Sequence, residues 1–284
     1  MSDHNWELLA SGFQLVEGPT LDTDGSLVFS DVMGGGVHRL AADGTVTTLV
    51  PKRKVVGGIA LHADGGVVFS GRDVQHARDG VSTVLLAIEG LPGFNDMCAD
   101  AAGRLLVGAV RFRAMDPAAE VVPGELWCID LDGTARTLYG GVIQANGVAV
   151  SADGGTLVHA DTRESRLIVH DLHDDASVSN RRHWDLDAGS HPDGLKFDES
   201  GAVWVADAHR GRILRLRPDG SIDGIVDVPA RTVTSLCFDG DSLIAVTADN
   251  SIDPTLGGSI FRTAVGVRGA PVHLARIPVQ EATR

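Results

Sequence analysis

Residues 17–31 read EGPTLDTDGSLVFSD, and a stretch of this form occurs six times along the chain. In each copy a short alternating segment leads into a turn rich in Asp and Gly, and an apolar run follows. In the first five copies the turn glycine comes eight residues after the first residue, and successive copies begin 40, 38, 51, 47 and 41 residues apart. The copies begin at Glu17, Gly57, Asn95, Asn146, Asp193 and Thr234.

Each copy continues into a third apolar segment, and often into a D-G turn and a fourth segment. Short strands separated by turns every ~8–12 residues are typical of an all-β fold. A period of about 40–50 residues with four strands per unit indicates a β-propeller. We therefore predict an all-β protein, a six-bladed β-propeller of four-stranded antiparallel blades, with residues 1–284 forming a single domain.

The two ends of the chain are expected to complete the last blade. Leu9 lies eight residues before Glu17, just as Leu49 lies eight residues before Gly57, so the N-terminal segment has the position of an outer strand. Only the sixth blade can receive it, which closes the ring and removes an open sheet edge. The C-terminal HLARIPV, residues 273–279, is expected to pair in the same region.

Composition narrows the class of partner. The chain has 284 residues with 43% hydrophobic residues, which is enough for a full-sized core, and its net charge of −14 disfavours nucleic acid and anionic membrane surfaces. No apolar run reaches the ~20 residues of a membrane span, and no signal peptide is evident. Three widely spaced cysteines indicate buried reduced thiols. We expect a cytoplasmic protein, monomeric or a small homo-oligomer.

Polar side chains recur at the first position of the repeat, where the inner strand of each blade begins. Inner strands line the central channel of a propeller, so equivalent positions form a ring around its axis. Glu17, Asn95, Asn146 and Asp193 place two carboxylates and two carboxamides in this ring. Asn and Asp are depleted in strands, and converging charges are costly without a partner. A hard divalent cation would supply that partner, Ca²⁺ first, with Mg²⁺, Mn²⁺ or Zn²⁺ as alternatives.

A structural explanation exists for the same residues, since Asn and Asp often cap strand starts and hydrogen-bond turns. Four such residues at one repeat position favour the metal. For Asp31, Asp161, Asp207 and Asp249, which end second strands, we expect the structural role of capping the turn into the third strand.

Four motifs resemble the senescence marker protein/gluconolactonase/luciferin-regenerating-enzyme superfamily. They are E-G-P at 17–19, F-N-D at 94–96, N-G-V-A-V-S-A-D-G at 146–154 and H-P-D-G-L at 191–195. The resemblance implies a divalent metal at the channel mouth with Glu17, Asn146 and Asp193 as ligands. It makes Asn95 a fourth ligand or a substrate contact, and it makes Asp193 the catalytic proton acceptor.

The activity that the resemblance implies is metal-dependent hydrolysis of a lactone or related ester, with the metal polarising the carbonyl and Asp193 activating water. Phosphotriester hydrolysis is the nearest alternative, since the superfamily also resembles diisopropylfluorophosphatase. A non-catalytic propeller that uses the metal as a structural plug is the alternative from a different class.

Two segments, at 72–80 and 110–124, are expected to form lids over the site. From them and from the P-D-G motif we predict substrate contacts by Arg72, Arg111, Arg113, His191 and Asn95. The family often has an Arg before F-N-D, where this chain has Gly93. This departure, together with the lid arginines, favours an anionic or more apolar lactone or ester over a sugar lactone. Solvated arginines without a substrate role are the alternative.

Overall fold

A computed structural model describes residues 4–114, 116 and 118–279. In this part of the chain the regular structure consists of strands and two short 3-10 helices, at Thr162–Glu164 and Pro254–Leu256. The strands form six four-stranded sheets, and every strand pairs antiparallel with its neighbours in the sheet. The predicted six-bladed β-propeller is confirmed.

Blades one to three follow the chain from inner to outer strand. Blade one contains β2 (Val16–Leu21), β3 (Leu27–Asp31), β4 (Gly36–Leu40) and β5 (Val46–Pro51). Blade two contains β6 (Ile59–Leu61), β7 (Val67–Phe69), β8 (Val74–Arg78) and β9 (Val81–Leu86). Blade three contains β10 (Gly93–Ala99), β11 (Leu105–Val110), β12 (Gly124–Ile129) and β13 (Ala135–Val142).

Blades four and five repeat this order, whereas blade six takes its outer strand from the N-terminus. Blade four contains β14 (Ala145–Val150), β15 (Thr156–Asp161), β16 (Arg166–Leu172) and β17 (Val178–Asp185). Blade five contains β18 (Pro192–Phe197), β19 (Val203–Asp207), β20 (Arg212–Leu216) and β21 (Ile222–Asp227). Blade six contains β22 (Val233–Asp239), β23 (Ser242–Thr247), β24 (Gly258–Ala264) and β1 (Glu7–Phe13).

The turns after the inner strands explain the Asp/Gly pattern of the repeat. Asp100 Oδ1 accepts hydrogen bonds from the backbone N–H groups of residues 102, 103 and 104, at 2.9, 2.8 and 2.8 Å. Asp198 does the same for Ser200 and Ala202, at 2.9 and 3.0 Å. The carboxylate satisfies donors that the tight turn leaves without a strand partner.

Apolar side chains between neighbouring blades form the core. Phe69 of blade two packs with Val28 and Val37 of blade one, and all three are fully buried. Trp204 of blade five packs with Leu236 of blade six in the same manner. Because the same contact recurs around the ring, each blade depends on both neighbours to bury its two faces.

The N-terminal strand joins the last blade to the first. β1 pairs antiparallel with β24, with Glu7 opposite Arg262 and Leu8 opposite Phe261. Next to it, the Trp6 ring lies edge-on to Phe261 at 6.3 Å and the Phe13 ring packs on Phe29 of blade one at 4.9 Å. The strand therefore covers the outer edge of blade six and contacts the next blade.

A chain that begins at Gln14 should consequently unfold at a lower temperature. If the lost pairing and packing amount to about 3 kcal/mol, Tm should fall by roughly 6–12 °C for a protein of this size. Calorimetry on both chains gives the difference. An unchanged Tm would show that β1 contributes nothing to ring closure.

The C-terminal expectation is wrong. The last described segment does not pair in blade six but crosses one end of the channel. Gly269 pairs with Asp198 of blade five, and Ala275 pairs with His62 of blade two. The Ala275 N–H donates to Leu61 O at 2.8 Å, and His62 Nε2 lies 2.9 Å from Ile277 O. The repeat alignment could not show this, because the segment lies outside every repeat.

Irregular pairing opens the start of five inner strands. The pairing register shifts directly after Phe94, Ala145, Pro192 and Val233, and after Glu17 in β2. Such bulges turn side chains that regular alternation would direct elsewhere. Two glycines let adjacent bulges approach: a Cβ on Gly147 would lie 2.3 Å from Asp193 O, and one on Gly194 would lie 1.9 Å from Ser235 Oγ. Any larger residue at either position would push the inner strands apart.

Candidate active site

The bulges bring predicted ligand residues from four blades to one mouth of the channel. Glu17, Asn146 and Asp193 are only 8%, 7% and 9% exposed, and Asn95 is half-buried. Asn95 Nδ2 donates to Asn146 Oδ1 at 3.1 Å and to Ala145 O at 3.0 Å. These bonds fix the two carboxamides against each other.

Asn146 is held from a second side as well. Its Nδ2 donates to Thr162 Oγ1 at 3.2 Å, and that hydroxyl donates to Pro192 O at 2.7 Å. Because Nδ2 is used in this way, Oδ1 of Asn146 faces the group of polar side chains. Thr162 thus links blade four to the residue that precedes Asp193.

The remaining two ring positions, Gly57 and Thr234, bring neither a carboxylate nor a carboxamide to this mouth. Gly57 leaves room for Asn95, whose Oδ1 lies 1.9 Å from where a Cβ would stand. Thr234 Oγ1 is occupied by backbone carbonyls, Val16 O at 2.5 Å and Val246 O at 3.1 Å. The polar group is therefore built from blades one, three, four and five.

Burial and mutual repulsion make the acidic groups at this mouth strong proton acceptors. Burial raises the pKa of the Glu17 carboxyl well above its usual range, and the charges of Asp193 and Asp96 raise it further. The pKa of Asp193 is likewise raised by burial and by Asp96, against a smaller opposite effect of the Asn146 amide. Burial raises the pKa of Asp96 to about 6.

The strongest sign of a missing partner is Oδ1 of Asp193. This atom is buried and has no hydrogen-bond donor within the part of the chain that the structure describes. Buried carboxylate oxygens are almost always paired, because an unpaired one costs several kcal/mol. An oxygen in this state, beside a second carboxylate and two carboxamide oxygens, fits a cation that these groups would coordinate.

The donor set limits which cation fits. Nowhere among the described residues do three His, Cys, Asp or Glu side chains form a metal-binding group. A cation at this mouth would therefore be held by the carboxylates of Glu17 and Asp193 and the amide oxygens of Asn146 and Asn95. An all-oxygen set of this kind suits Ca²⁺ or Mg²⁺ and disfavours Zn²⁺, which prefers nitrogen and sulfur.

Sequence reasoning missed Asp96 as a member of this group. In a regular strand Asp96 would face away from the channel, because neighbouring side chains alternate. The register shift between Phe94 and Met97 removes that alternation, and Asp96 is buried close enough to raise the pKa of both Glu17 and Asp193. Its place in the F-N-D motif was the only signal available.

The predicted lid arginines differ in whether their side chains are already paired within the protein. Arg111 Nε is paired with Glu125 Oε1 at 2.6 Å, and Phe112 is buried beneath the guanidinium of Arg163 at 5.0 Å. Arg72 and Arg113 are exposed, and neither side chain has an ion pair or hydrogen bond within the described chain. Positions 115 and 117 of the second lid segment lie outside the described residues.

His191 lies at the rim beside Asp193. Its backbone N–H donates to Asp207 Oδ1 at 2.9 Å, its ring Nδ1 is buried without a partner in the described chain, and its ring meets that of His209 edge-on at 5.3 Å. His209 has the rare positive φ of 69° for a residue other than glycine. Nδ1 of His191, two residues before Asp193, therefore has no hydrogen-bond partner within the described chain.

The aspartates that end the second strands have a structural role, as expected. Most of them, however, bond a different segment from the turn into the third strand. They accept backbone N–H groups of the connection that precedes the inner strand, as Asp161 does from Gln144 at 3.0 Å and Asp249 from Arg231 at 2.7 Å. Within the described residues, Asp31 is the one of the four whose carboxylate also accepts from the turn into the third strand, through the N–H of Gly34 at 2.9 Å. These aspartates thereby hold the connections from which the site residues follow.

A cavity of about 220 Å³ occupies the channel on the far side of the acidic group from the lids. Most of its walls come from residues two to four positions after the ring residues, among them Met97, Val148 and Phe197, and residues 268–273 close its end. The free thiols of Cys98 and Cys237 face it, and burial raises the pKa of each to about 12.

In the described residues, no helix is long and apolar enough to cross a membrane.

Fold and site together define a six-bladed propeller with an acidic channel mouth. Residues 15–248 match the family described as "SMP-30/Gluconolactonase/LRE-like region", and the protein belongs to this family, as predicted.

Relatives of this chain carry more specific names. It is 30% identical to 6-deoxy-6-sulfogluconolactonase of Pseudomonas putida, covering 86% of this chain and 88% of that protein. It is 29% identical to pentonolactonase XacC of Haloferax volcanii, covering 91% and 93%. A solved structure of a luciferin-regenerating enzyme superposes with a TM-score of 0.85 at 25% identity, covering 96% of this chain and 100% of that one.

Proposed function

We propose that this protein is a hydrolase that opens a lactone with the help of a divalent cation at the channel mouth. The observation that carries the proposal is the buried, unpartnered Oδ1 of Asp193 beside Glu17 and Asn146. The names of two relatives, both lactonases, support the reaction class. The propeller fold alone would not, because one fold hosts many activities.

Glu17, Asn146 and Asp193 would hold the cation, with Asn95 as a fourth ligand or a contact to substrate. Ca²⁺ is the first choice, because oxygen ligands and negative charge suit a hard ion that tolerates irregular geometry. A bound cation would act as a Lewis acid on the lactone carbonyl. Four protein ligands leave positions open for water and substrate in a shell of six to eight.

Asp193 is proposed as the general base. Its pKa, raised by burial, makes it a better proton acceptor than an exposed aspartate, and a bound cation would favour its ionised form. Asp193 takes a proton from water, and the water oxygen forms a bond to the carbonyl carbon. The bond between that carbon and the ring oxygen then breaks, and the proton passes to the leaving alkoxide, which gives a hydroxy acid.

Arg72 and Arg113 are proposed to select the substrate, because they are the lid cations that have no partner within the described chain. Arg72 directly follows Gly71, which pairs with Phe94 next to Asn95. Such a position suits a lactone that carries an anionic substituent. Arg111, held by Glu125, and His191 are proposed as secondary contacts.

Replacement of Arg72 and Arg113 by Ala should therefore raise KM for a carboxylate-bearing lactone about tenfold, which is the loss of roughly one charge-assisted hydrogen bond. KM for a neutral lactone and Tm should change little. Arg78→Ala is the matched control, since its guanidinium already bonds Asp64 O and it has no proposed substrate role. Equal effects on both lactones would contradict the assignment.

The proposal is tested by a substrate panel. Metal-stripped and Ca²⁺-reconstituted protein would be offered neutral and anionic lactones, an aryl ester and a phosphotriester. Cation-dependent lactone opening is the expected result. Preference for the phosphotriester would move the activity to that class, and turnover of no substrate with a Ca²⁺-dependent gain in Tm would indicate a structural plug.

A further inference from the structure

The cavity at the far end of the channel has walls whose charge is opposite to that of the protein. Among the described residues that border it, Lys196 and Arg268 carry permanent positive charges, and none is an aspartate or a glutamate. The chain as a whole has 38 Asp and Glu residues against 24 Lys and Arg residues. A wall with two cations and no carboxylate therefore favours an anion in this cavity.

Lys196 borders the cavity without a direct partner. It is half-buried on β18, and within the described residues its ammonium has neither a hydrogen bond nor an ion pair. Glu17 and Asp96, at the acidic mouth, act on it only at longer range. An ammonium that loses part of its hydration is usually compensated by a group in contact with it. A bound anion would be such a group.

Two more unpaired donors come from the segment that closes the cavity. The guanidinium of Arg268 is exposed and has no partner within the described chain, and the nearby Glu199 bonds only the backbone, with its N–H donating to Arg268 O at 2.9 Å. His273 Nε2 is buried and also lacks a partner among the described residues. This nitrogen donates in the tautomer that carries the proton there. Three free donors thus border one cavity.

Much of the remaining wall is apolar, with Met97, Val148, Phe197 and Phe238 among its side chains. The volume of about 220 Å³ corresponds to about seven water molecules at their liquid volume. This is below the ~300–1,000 Å³ of sites for drug-sized ligands, so the cavity suits one small molecule. Cationic donors and apolar walls together fit a ligand with an anionic end and a hydrocarbon body.

The closing segment is attached at both ends but not between them. The Ala270 N–H donates to Phe197 O at 2.9 Å, and the Ala275 N–H donates to Leu61 O at 2.8 Å. Residues 271–274 form no backbone hydrogen bond within the described chain. A ligand can therefore enter beside this segment at the cost of few bonds, without passing the acidic mouth that would repel an anion.

We propose that this cavity is a second binding site, which takes a small carboxylate with an apolar body, about eight non-hydrogen atoms in all. Lys196 and Arg268 hold the carboxylate through charge-assisted hydrogen bonds, and His273 Nε2 donates to it. The hydrocarbon body packs on Met97 and Phe197. The inference does not depend on the proposed cation site or on lactone hydrolysis.

The test is calorimetric titration of the whole, metal-stripped chain with hexanoate, so that no carboxylate can bind through a divalent cation. One hexanoate should bind per chain. Acetate should bind about a hundredfold more weakly, because each of the four methylene groups that it lacks contributes about fourfold when buried. 1-Hexanol, which has the apolar body without the charge, should bind about tenfold or more weakly than hexanoate.

Variants locate the site. Lys196→Met should raise Kd for hexanoate about tenfold or more, and Lys196→Gln takes its place if Lys196→Met does not fold. Arg268→Gln should raise Kd about two- to fivefold, since this guanidinium is exposed to solvent. Arg276→Gln is the matched control, because Arg276 is exposed on the same segment but does not border the cavity, and Kd should stay at the wild-type value.

Three results would overturn the proposal. The first is that hexanoate does not bind to the wild type, and the second is that 1-hexanol binds as tightly as hexanoate. The third is a Kd for hexanoate that rises in Arg72→Ala/Arg113→Ala and not in Lys196→Met, because the carboxylate would then bind under the lids. Since no catalytic rate is measured, failure of the proposed hydrolase function would leave each of these readings unchanged.

Discussion

Asp193→Asn should lower lactone hydrolysis by about 10²–10⁴-fold, the contribution that a general base typically makes. The change is nearly isosteric and keeps one oxygen for a cation, but it removes the proton acceptor. At saturating Ca²⁺ the loss should fall on kcat, while calorimetry should still detect one bound ion. Thermal unfolding of the variant checks that the propeller is intact.

Glu17→Gln is the matched variant for this experiment. It also removes one buried carboxylate charge from the ring, but from a residue with no proposed role in proton transfer. We expect weaker Ca²⁺ binding and a kcat that recovers when Ca²⁺ is raised. If fully loaded Asp193→Asn hydrolyses the lactone at the wild-type rate, the base is another group, and His191 at the rim is the first to replace.

The second large effect concerns stability and pH. In the cation-free protein the pKa values of Glu17 and Asp193 lie well above their usual range, and that of Asp96 is about 6. The folded state therefore binds protons more tightly than the unfolded chain, where these groups titrate near 4. The stability that these groups contribute is present below pH ~4 and is lost as pH rises through 6 and beyond.

Ca²⁺ should reverse this loss, because it takes the place of the protons on the same carboxylates. At pH 8 and a Ca²⁺ concentration of 100 times Kd, the ion adds about 2.7 kcal/mol, which is roughly 5–10 °C in Tm. At pH 5 the gain should be clearly smaller, since the cation competes with bound protons. Calorimetric Tm values with and without Ca²⁺ at pH 5 and pH 8 measure this gain in stability. A gain in Tm that is equal at the two pH values, or larger at pH 5, would contradict the electrostatic description of the site.

The repeat made the fold and much of the site predictable. Glu17, Asn146 and Asp193 could be grouped because a propeller places equivalent inner-strand residues around one axis, and all three are buried at the same channel mouth. The family and the six-bladed fold are confirmed. The roles of these residues in binding and catalysis stay predictions.

The features that the sequence repeat could not predict arise where the structure departs from regular strand pairing. Asp96 joins the acidic group because a bulge breaks the alternation of β10, and a one-dimensional pattern does not reveal a bulge. Gly57 and Thr234 occupy the same repeat position as Glu17 but have different structural roles. Gly57 leaves space for the Asn95 side chain, and the Thr234 hydroxyl donates to Val16 O. Residues 266–279 cross the channel end through isolated bridges that have no counterpart in the repeat.

The most direct measurement is the rate of lactone opening by metal-stripped protein as Ca²⁺ is returned to it. We expect almost no turnover at the start and a rise that saturates at one ion per chain. In Glu17→Gln the same curve should be displaced to higher Ca²⁺ and should reach a similar plateau. Full activity of the stripped protein, or a curve that Glu17→Gln does not displace, would show that hydrolysis does not use a cation at this channel mouth.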